Sequence, residues 1–205
     1  MTVHVIPYNV QDAFLFDGTG DGCLIWQPDR CYIVLGQSNS AEGSIFKYNV
    51  IKDGIPVTKR PTGGEAVVLT PSMVVITVAK VFSKMILFKA FFGEVNEIII
   101  ESLKEAGITG LGSKGISDIT IGNRKILGSS MKCHSNRLVY HAVLNVSEDP
   151  SLFEKYLRHP RREPDYRDKR SHNEFVTSLK MEGYNITAEE LMSAISKKIN
   201  KYMMG

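Results

Sequence analysis

The sequence predicts an α/β chain of the α+β kind, a mixed and largely antiparallel sheet flanked by helices, in one domain over residues 1–205. Three observations predict it. Short β-branched runs recur along the chain, among them "CYIVLGQ", "EAVVL", "SMVVITVA" and "RLVYHAVLNV". Between two of them the apolar period changes, and residues 87, 88, 91, 92, 95, 98, 99, 103 and 106 fall on one helical face. The chain then finishes in an amphipathic helix with a start signal of its own. Strand-rich segments with two or three helices fit such a domain.

The elements follow in order. "CYIVLGQ", Cys31 to Gln37, is an apolar run closed near glycine and reads as a buried strand. "YNVIKDGIPVTKR" places a helix end at Asp53-Gly54 and a short strand from Ile55 to Lys59. "EAVVL" and "SMVVITVA", separated by Thr70-Pro71, read as an antiparallel pair. The helix of Leu87 to Ala106 stops at Gly107. "DITIGNRKILGSS" reads as a hairpin turning at Gly122-Asn123. "RLVYHAVLNV" is a strand and "SLFEKYL" a short helix. Residues 159–172, "HPRREPDYRDKRSH", contain two prolines and almost nothing to bury, which makes them a loop. In the last helix Thr187 and Glu190 have capping-box spacing, and Lys197, Lys198 and Lys201 suit a helix C-terminus.

Bulk properties bound the function. The apolar fraction of 43% and charged fraction of 23% are those of a globular protein, with length enough for a core. A formal charge of +3 argues against a nucleic-acid partner. Three cysteines, Cys23, Cys31 and Cys133, form no CxxC pair, which argues against a disulfide framework or structural zinc and for a reducing, cytoplasmic setting. The N-terminus lacks a signal-peptide pattern, and no apolar run reaches the ~18 residues of a membrane span.

Several residues are candidates for chemistry. "KRPTGGEAVVL" brings a cation, Arg60, to bare backbone at Gly63 and Gly64, where N–H groups can face an anion. Taken alone, the stretch is equally a hairpin turn with solvated cations. Lys125 sits just inside a strand, followed by small residues Gly128, Ser129 and Ser130, and from there a lysine can stabilise charge during acyl or nucleotidyl transfer. Alone, a strand lysine is an edge or surface residue. Asp118 lies seven residues earlier, placed to share a pocket with Lys125 and either position it or hold a divalent metal. Alone it is a turn residue. His141 is a candidate base or a core histidine. Cys31 reads as buried and inert, and Cys133, between Lys132 and His134, as a residue of an exposed loop.

Taken together these segments resemble the lipoate–protein ligase A family, whose catalytic domain is shared with biotin protein ligases and octanoyl transferases and is related to class II aminoacyl-tRNA synthetase cores. "DRCYIVLGQSNSAEGSI" is similar to the family's strand ending in an IGR/Q-x-x-N step, which puts Gln37 and Asn39 at a cleft rim. "DGIPVTKRPTGGEAVVL" resembles "DGIPVVRRxSGGGAVYHD", "GISDITIGNRKILGSS" resembles "GRNDLxVxGRKISGSA", and "RLVYHAVLNV" resembles "xxxHHGTLLL". "KRSHNEFVTSL" occupies the place of "SVRSRVTNL". The resemblance covers about residue 24 onward.

The resemblance implies roles. Lys125 corresponds to a lysine contacting the lipoyl carbonyl and the adenylate phosphate, and Arg60 to an arginine at the nucleotide. Glu65, Ala66, Val67 and Val68 correspond to the nucleotide-binding segment, with Asp118 at the nucleotide or its metal. Gly63, Gly64, Gly128, Ser129, Ser130 and His141 fall to the acyl substrate. The implied substrates are ATP, with Mg²⁺, and lipoate. The implied partner is a lipoyl-domain acceptor resembling glycine-cleavage H protein or a 2-oxoacid dehydrogenase E2. Residues 159–172, with five Lys/Arg against three Asp/Glu, occupy the place of the cover over the adenylate.

Departures accompany the resemblance. Glu65 replaces a third glycine, Leu69-Thr70 replace "HD", and Ser117 replaces asparagine. The family's N-terminal "NLALEE" helix is not recognisable. The accessory domain that follows in many relatives is not seen either, so a separate accessory subunit, or a part of the reaction only, is expected. The alternatives are an octanoyl/lipoyl acyltransferase, which wants a cysteine near Gly115 to Asp118 and finds none there, and a non-catalytic lipoyl-domain binder. A biotin ligase would want a "GRGRxGR" loop.

Overall fold

The computed structural model describes residues 2–83 and 88–204. Among these residues ten strands and seven helices follow one another: β1 (Val5–Pro7), α1 (Ala13–Asp17), β2 (Gly22–Trp26), β3 (Tyr32–Leu35), α2 (Ala41–Ser44), α3 (Lys47–Lys52), β4 (Val57–Lys59), β5 (Val67–Leu69), β6 (Met73–Val81), α4 (Phe88–Glu105), β7 (Leu111–Lys114), β8 (Asp118–Ile121), β9 (Arg124–His134), β10 (Arg137–Asn145), α5 (Ser151–Tyr156), α6 (His172–Phe175) and α7 (Ala188–Met204), with a 3₁₀ turn at Asp165–Arg167. The strands form a four-stranded sheet, ordered β1-β4-β3-β5, and a six-stranded antiparallel sheet, ordered β2-β6-β10-β9-β8-β7.

β6 explains the layering. Its residues Met73 to Ile76 are apolar without alternation because both faces are covered. Val74, Ile76 and Val78 pack with Phe91, Val95 and Ile99 of α4 and with Leu191, Ile195 and Ile199 of α7. On the other face Val75 meets Trp26, Val34 and Leu69, and Met73 joins Ile33, Leu35 and Val68, so the small sheet closes that side. The two long helices thus cover one face and the small sheet the other. Tyr140 of β10 pins the helical layer, its hydroxyl donating to Asn96 Oδ1 of α4 at 2.7 Å.

Two expectations are corrected here. The runs "EAVVL" and "SMVVITVA" are not an antiparallel pair. β5 pairs with β3 in the small sheet, while β6 pairs with β2 and β10 in the large one. The reason lies at the corner: Pro71 has no N–H for a ladder, Met73 N–H returns to Thr70 O, and the Thr70 hydroxyl donates to Glu148. Each run is buried and takes its own partners. Residues 159–172 also bury more than expected, since Arg167 and His172 are only 5% and 8% exposed.

Other expectations hold. The helix ends near Asp53 and Gly107, the hairpin of β8 and β9 turns at Gly122-Asn123, and Thr187 and Glu190 form reciprocal bonds at the start of α7. The long helix is described from Phe88, and Leu87 lies outside the described residues.

Candidate active site

The mouth of the cleft answers why a cation and bare backbone occur together. Arg60 follows β4 and is only 4% exposed. Its Nε donates to Thr62 Oγ1 at 2.8 Å, its Nη1 to Val34 O at 3.3 Å, and its Nη2 to Gly63 O at 2.8 Å and Glu65 O at 2.9 Å. One guanidinium therefore ties the loop of residues 61–66 to itself and to β3. Burial pulls its pKa down to about 10, against the opposing fields of Tyr8 and Glu65, so it stays charged at neutral pH. Gly64 adopts φ +86°, and its carbonyl lies so close to Gly36 that a Cβ at Gly36 would have no room.

Lys125 is placed by a bulge and a glycine. In the β8–β9 ladder Ile119 faces Leu127 but Thr120 faces Lys125, so Ile126 is the extra residue on β9. Such a bulge re-aims the neighbouring side chain. The lysine then runs across Gly128, where a Cβ would sit 2.5 Å from Nζ and 2.6 Å from Cε. Only glycine leaves that path open, which is the physical sense of the Lys-Ile-Leu-Gly spacing. Nζ pairs with Asp118 Oδ1 at 2.8 Å, with the lysine side chain 27% exposed and the aspartate 5%. Ser117 Oγ also donates to Oδ1, and the Tyr166 hydroxyl donates to Oδ2 at 2.7 Å. Both oxygens of Asp118 thus take part in this network.

His141 lies on the sheet face opposite α4, 3% exposed. Its Nε2 is 3.3 Å from Asp12 Oδ2 and 3.3 Å from the Tyr8 hydroxyl, which itself donates to Asp12 Oδ1 at 2.9 Å. Burial pushes the Asp12 carboxyl up, but hydrogen bonds from His141, Thr77 and Tyr8 outweigh that and hold it below the usual carboxylate range. Burial beside this carboxylate drives the Tyr8 hydroxyl far upward, so it stays protonated.

The segment 159–172 lies against this site, with Arg162, Glu163 and Arg167 among the residues that line the cleft. Glu163 accepts from Lys169 N–H at 3.0 Å and pairs with His159 at 2.8 Å and Arg167 at 3.4 Å. Arg167 stacks over Phe175 with 4.7 Å to the ring centroid. Behind it α6 starts in a capping box between Ser171 and Glu174.

These pieces enclose a cleft of about 610 Å³. Arg60, Gly64, Glu65, Ala66, Val67 and Val68 line its mouth and one wall. Asp118, Lys125, Gly128, Ser129, Ser130 and His141 line the other, and Val143, Phe153 and Val176 add apolar surface. Gly63 is exposed beside the cleft and does not line it. No cysteine lines the cleft among the described residues. Cys133 is exposed near the end of β9, in a strand rather than in the expected loop, and Cys31 is half-buried with its thiol pushed up to about 11, first by burial.

Residues 11–200 match the family model of the lipoyl protein ligase A/B catalytic domain. The chain belongs to that family. A curated relative, lipoate–protein ligase 1 of Plasmodium falciparum, is 25% identical over 179 residues, covering 87% of this chain and 42% of its own length. The chain therefore spans less than half of that relative. A bipartite lipoate protein ligase of Thermoplasma acidophilum, from a lipoylation system that includes an E2 lipoyl domain, superposes with a TM-score of 0.79 at 18% identity over 100% of this chain and 84% of its own. A lipoate-protein ligase A bound with ATP superposes at 0.78 and 18% identity, over 100% and 86%. At such identities these two likenesses show the fold, the lipoate-ligase catalytic-domain type.

In this ligase-family fold some residues escaped sequence reasoning. Tyr166 sits in a segment taken for a loop, and nothing local marks it as a partner of Asp118. Asp12, preceding "AFLF", carries the signature of a helix cap, yet its side chain caps nothing in α1 and serves His141 instead. Asp-x₆₄-Thr and Asp-x₁₂₈-His spacings carry no local signal: the sheet register sets Thr77 opposite His141, and Asp12 meets both from the segment before α1.

Proposed function

We propose that the chain is the catalytic unit of an ATP-dependent, AMP-forming lipoate–protein ligase. The observation that carries this is Lys125, held by Asp118 and laid over Gly128, in a cleft with a polar mouth and apolar walls. In the first half-reaction the lipoate carboxylate oxygen attacks the α-phosphorus of ATP. The bond to the bridging oxygen breaks, and pyrophosphate leaves. Lys125 is placed to meet the carbonyl oxygen and a phosphate oxygen together, a fixed cation where negative charge gathers. In the second, the ε-amine of an acceptor lysine attacks the carbonyl carbon, AMP leaves, and the amine loses a proton. Val143 and Phe153 offer the acyl chain an apolar wall, and Glu65 to Val68 stay with the nucleotide. The segment 159–172 limits water at the mixed anhydride.

Mg²⁺ would arrive with ATP, held mainly by phosphate oxygens and water. Among the described residues there is no group of three or more His, Cys, Asp or Glu side chains that could hold a metal. Asp118, paired with Lys125, supports the role of lysine positioner over that of ligand. Arg60 supports the nucleotide site through the loop that it holds. The acceptor is proposed to be an H-protein-like or E2-like lipoyl domain. A separate accessory subunit is part of the proposal, as in the bipartite Thermoplasma acidophilum relative. A cysteine-based acyltransferase is disfavoured by the cysteine-free lining.

The test is acceptor mass after incubation with ATP, Mg²⁺, lipoate and an apo lipoyl domain, beside a second tube given lipoyl-AMP. Gain of one lipoyl group in both tubes identifies a self-sufficient ligase. Gain only with lipoyl-AMP identifies a chain that needs its accessory subunit for activation. No gain in either tube rejects the ligase reading.

A further inference from the structure

Glu65 stands where the resembling motif keeps a third glycine, and its carboxylate is held from two sides of the cleft mouth. Asn39 Nδ2, from the segment after β3, donates to Oε2 at 3.3 Å, and the backbone N–H of Arg162 donates to Oε1 at 3.3 Å. Asn39 is itself fixed, because its Oδ1 accepts from Gly36 N–H at 3.0 Å. Both donors to Glu65 are uncharged N–H groups, so the carboxylate has anion-binding partners but takes no counter-charge from them. Glu65 lines the cleft beside Arg60, whose Nη2 bonds the Glu65 carbonyl at 2.9 Å. On the far side the same 159–172 segment touches a second carboxylate, through Tyr166 and Asp118 at 2.7 Å. The segment is thus fastened across the cleft at two points, and one of them is a carboxylate where the nucleotide reading places a phosphate.

We propose that Glu65 is an internal stand-in for the ligand's anion. Its carboxylate clasps the 159–172 segment to the mouth, and a phosphate-bearing ligand displaces it and takes over the Asn39 and Arg162 N–H donors. The displacement step rests on the nucleotide reading above, while the clasp does not. Glu65 is on this view a positioning residue that sets the affinity for phosphate, since the ligand must first move a like charge. The glycine found in the resembling motif would impose no such competition.

Two measurements on the full chain test this. Hydrogen exchange of the ligand-free protein is compared with that of Glu65→Ala, and the backbone around Arg162 is expected to exchange about tenfold faster in the variant. Binding of AMP and of adenosine is compared with that of Glu65→Gln, a shape-conserving change that removes the charge. AMP is expected to bind about tenfold tighter and adenosine unchanged. Unchanged exchange overturns the clasp. AMP binding that is unchanged or weaker, or adenosine binding that tightens equally, overturns the displacement, because a merely structural strut behaves that way. If the unaltered protein binds neither probe, the nucleotide reading falls together with the displacement, and the exchange comparison alone then decides the clasp.

Discussion

Lys125 and Arg60 are both cations of the cleft, but their surroundings give them different work. Arg60 spends four of its five N–H groups on a side chain and three carbonyls of its own neighbourhood. Lys125 makes one ion pair and is a quarter exposed toward the cleft. On the ligase reading, replacing Lys125 by alanine is therefore expected to lower lipoyl-AMP formation by about 10²–10³-fold, and also to lower the unfolding midpoint, because the buried Asp118 carboxylate loses its counter-charge. Pyrophosphate release and thermal melting measured on one preparation check both halves. Gly128→Ala is expected to cost the same activity by another route, since its methyl would occupy the path of the lysine. Cys133→Ser, remote from the cleft, is expected to change neither quantity.

The segment leading into α6 shows how an element can be held by hydrogen bonds and ion pairs more than by apolar burial. His172 accounts for much of it. Its backbone N–H and that of Asn173 donate to Glu154 of α5, its Nε2 lies 3.3 Å from Arg158 O, and its Nδ1 lies 3.5 Å from Arg167 Nη2. That pattern suits a neutral ring that donates from Nε2 and accepts at Nδ1. Burial first, then Arg167, holds the His172 pKa below its ordinary 6.5, against the field of Glu154 and with a small contribution from His159. The unfolded chain therefore takes up this proton first, and stability is complete above about pH 6.5 and falls as the pH drops below it. Asp12, with its lowered pKa, acts in a separate window, losing its contribution only as the pH falls below about 4. Urea midpoints between pH 7 and 5.5 should decline in the native chain and decline less in His172→Gln. Equal slopes would show that His172 does not carry the effect.

The small sheet and the two long helices cover opposite faces of the large sheet, and the division of labour follows from which face is covered by what. Helices α4 and α7 bury one face of the large sheet and keep away from the cleft, which opens on the other. Ile99, fully buried under that helical layer, is a fair probe. Ile99→Ala should lower unfolding free energy by about 2–5 kcal/mol in denaturant titrations, with the affinity for AMP unchanged below the melting range. A loss of AMP affinity at temperatures where the variant is folded would contradict this separation of core and site.

Residue pattern alone was enough for the central strands, the long helices and the hairpin that carries Lys125, because these depend on neighbours within a few positions: period, caps and a Gly-Asn turn; the outer strands β1, β2 and β7 were not read from it. The Lys125–Asp118 pair was legible for the same reason, since both sit on one hairpin. The partner of β5 and that of β6 were not, because two apolar runs joined by a short corner look alike whether they pair with each other or part into different sheets. Asp12 beside His141, and Tyr166 on Asp118, lay beyond reach as well. Each contact spans 48 or more positions, and its energy comes from burial and register that exist only once the sheets have closed. Local chemistry fixed the elements and the reactive hairpin, while long-range packing chose which polar groups meet inside the cleft and which segment is fastened across its mouth.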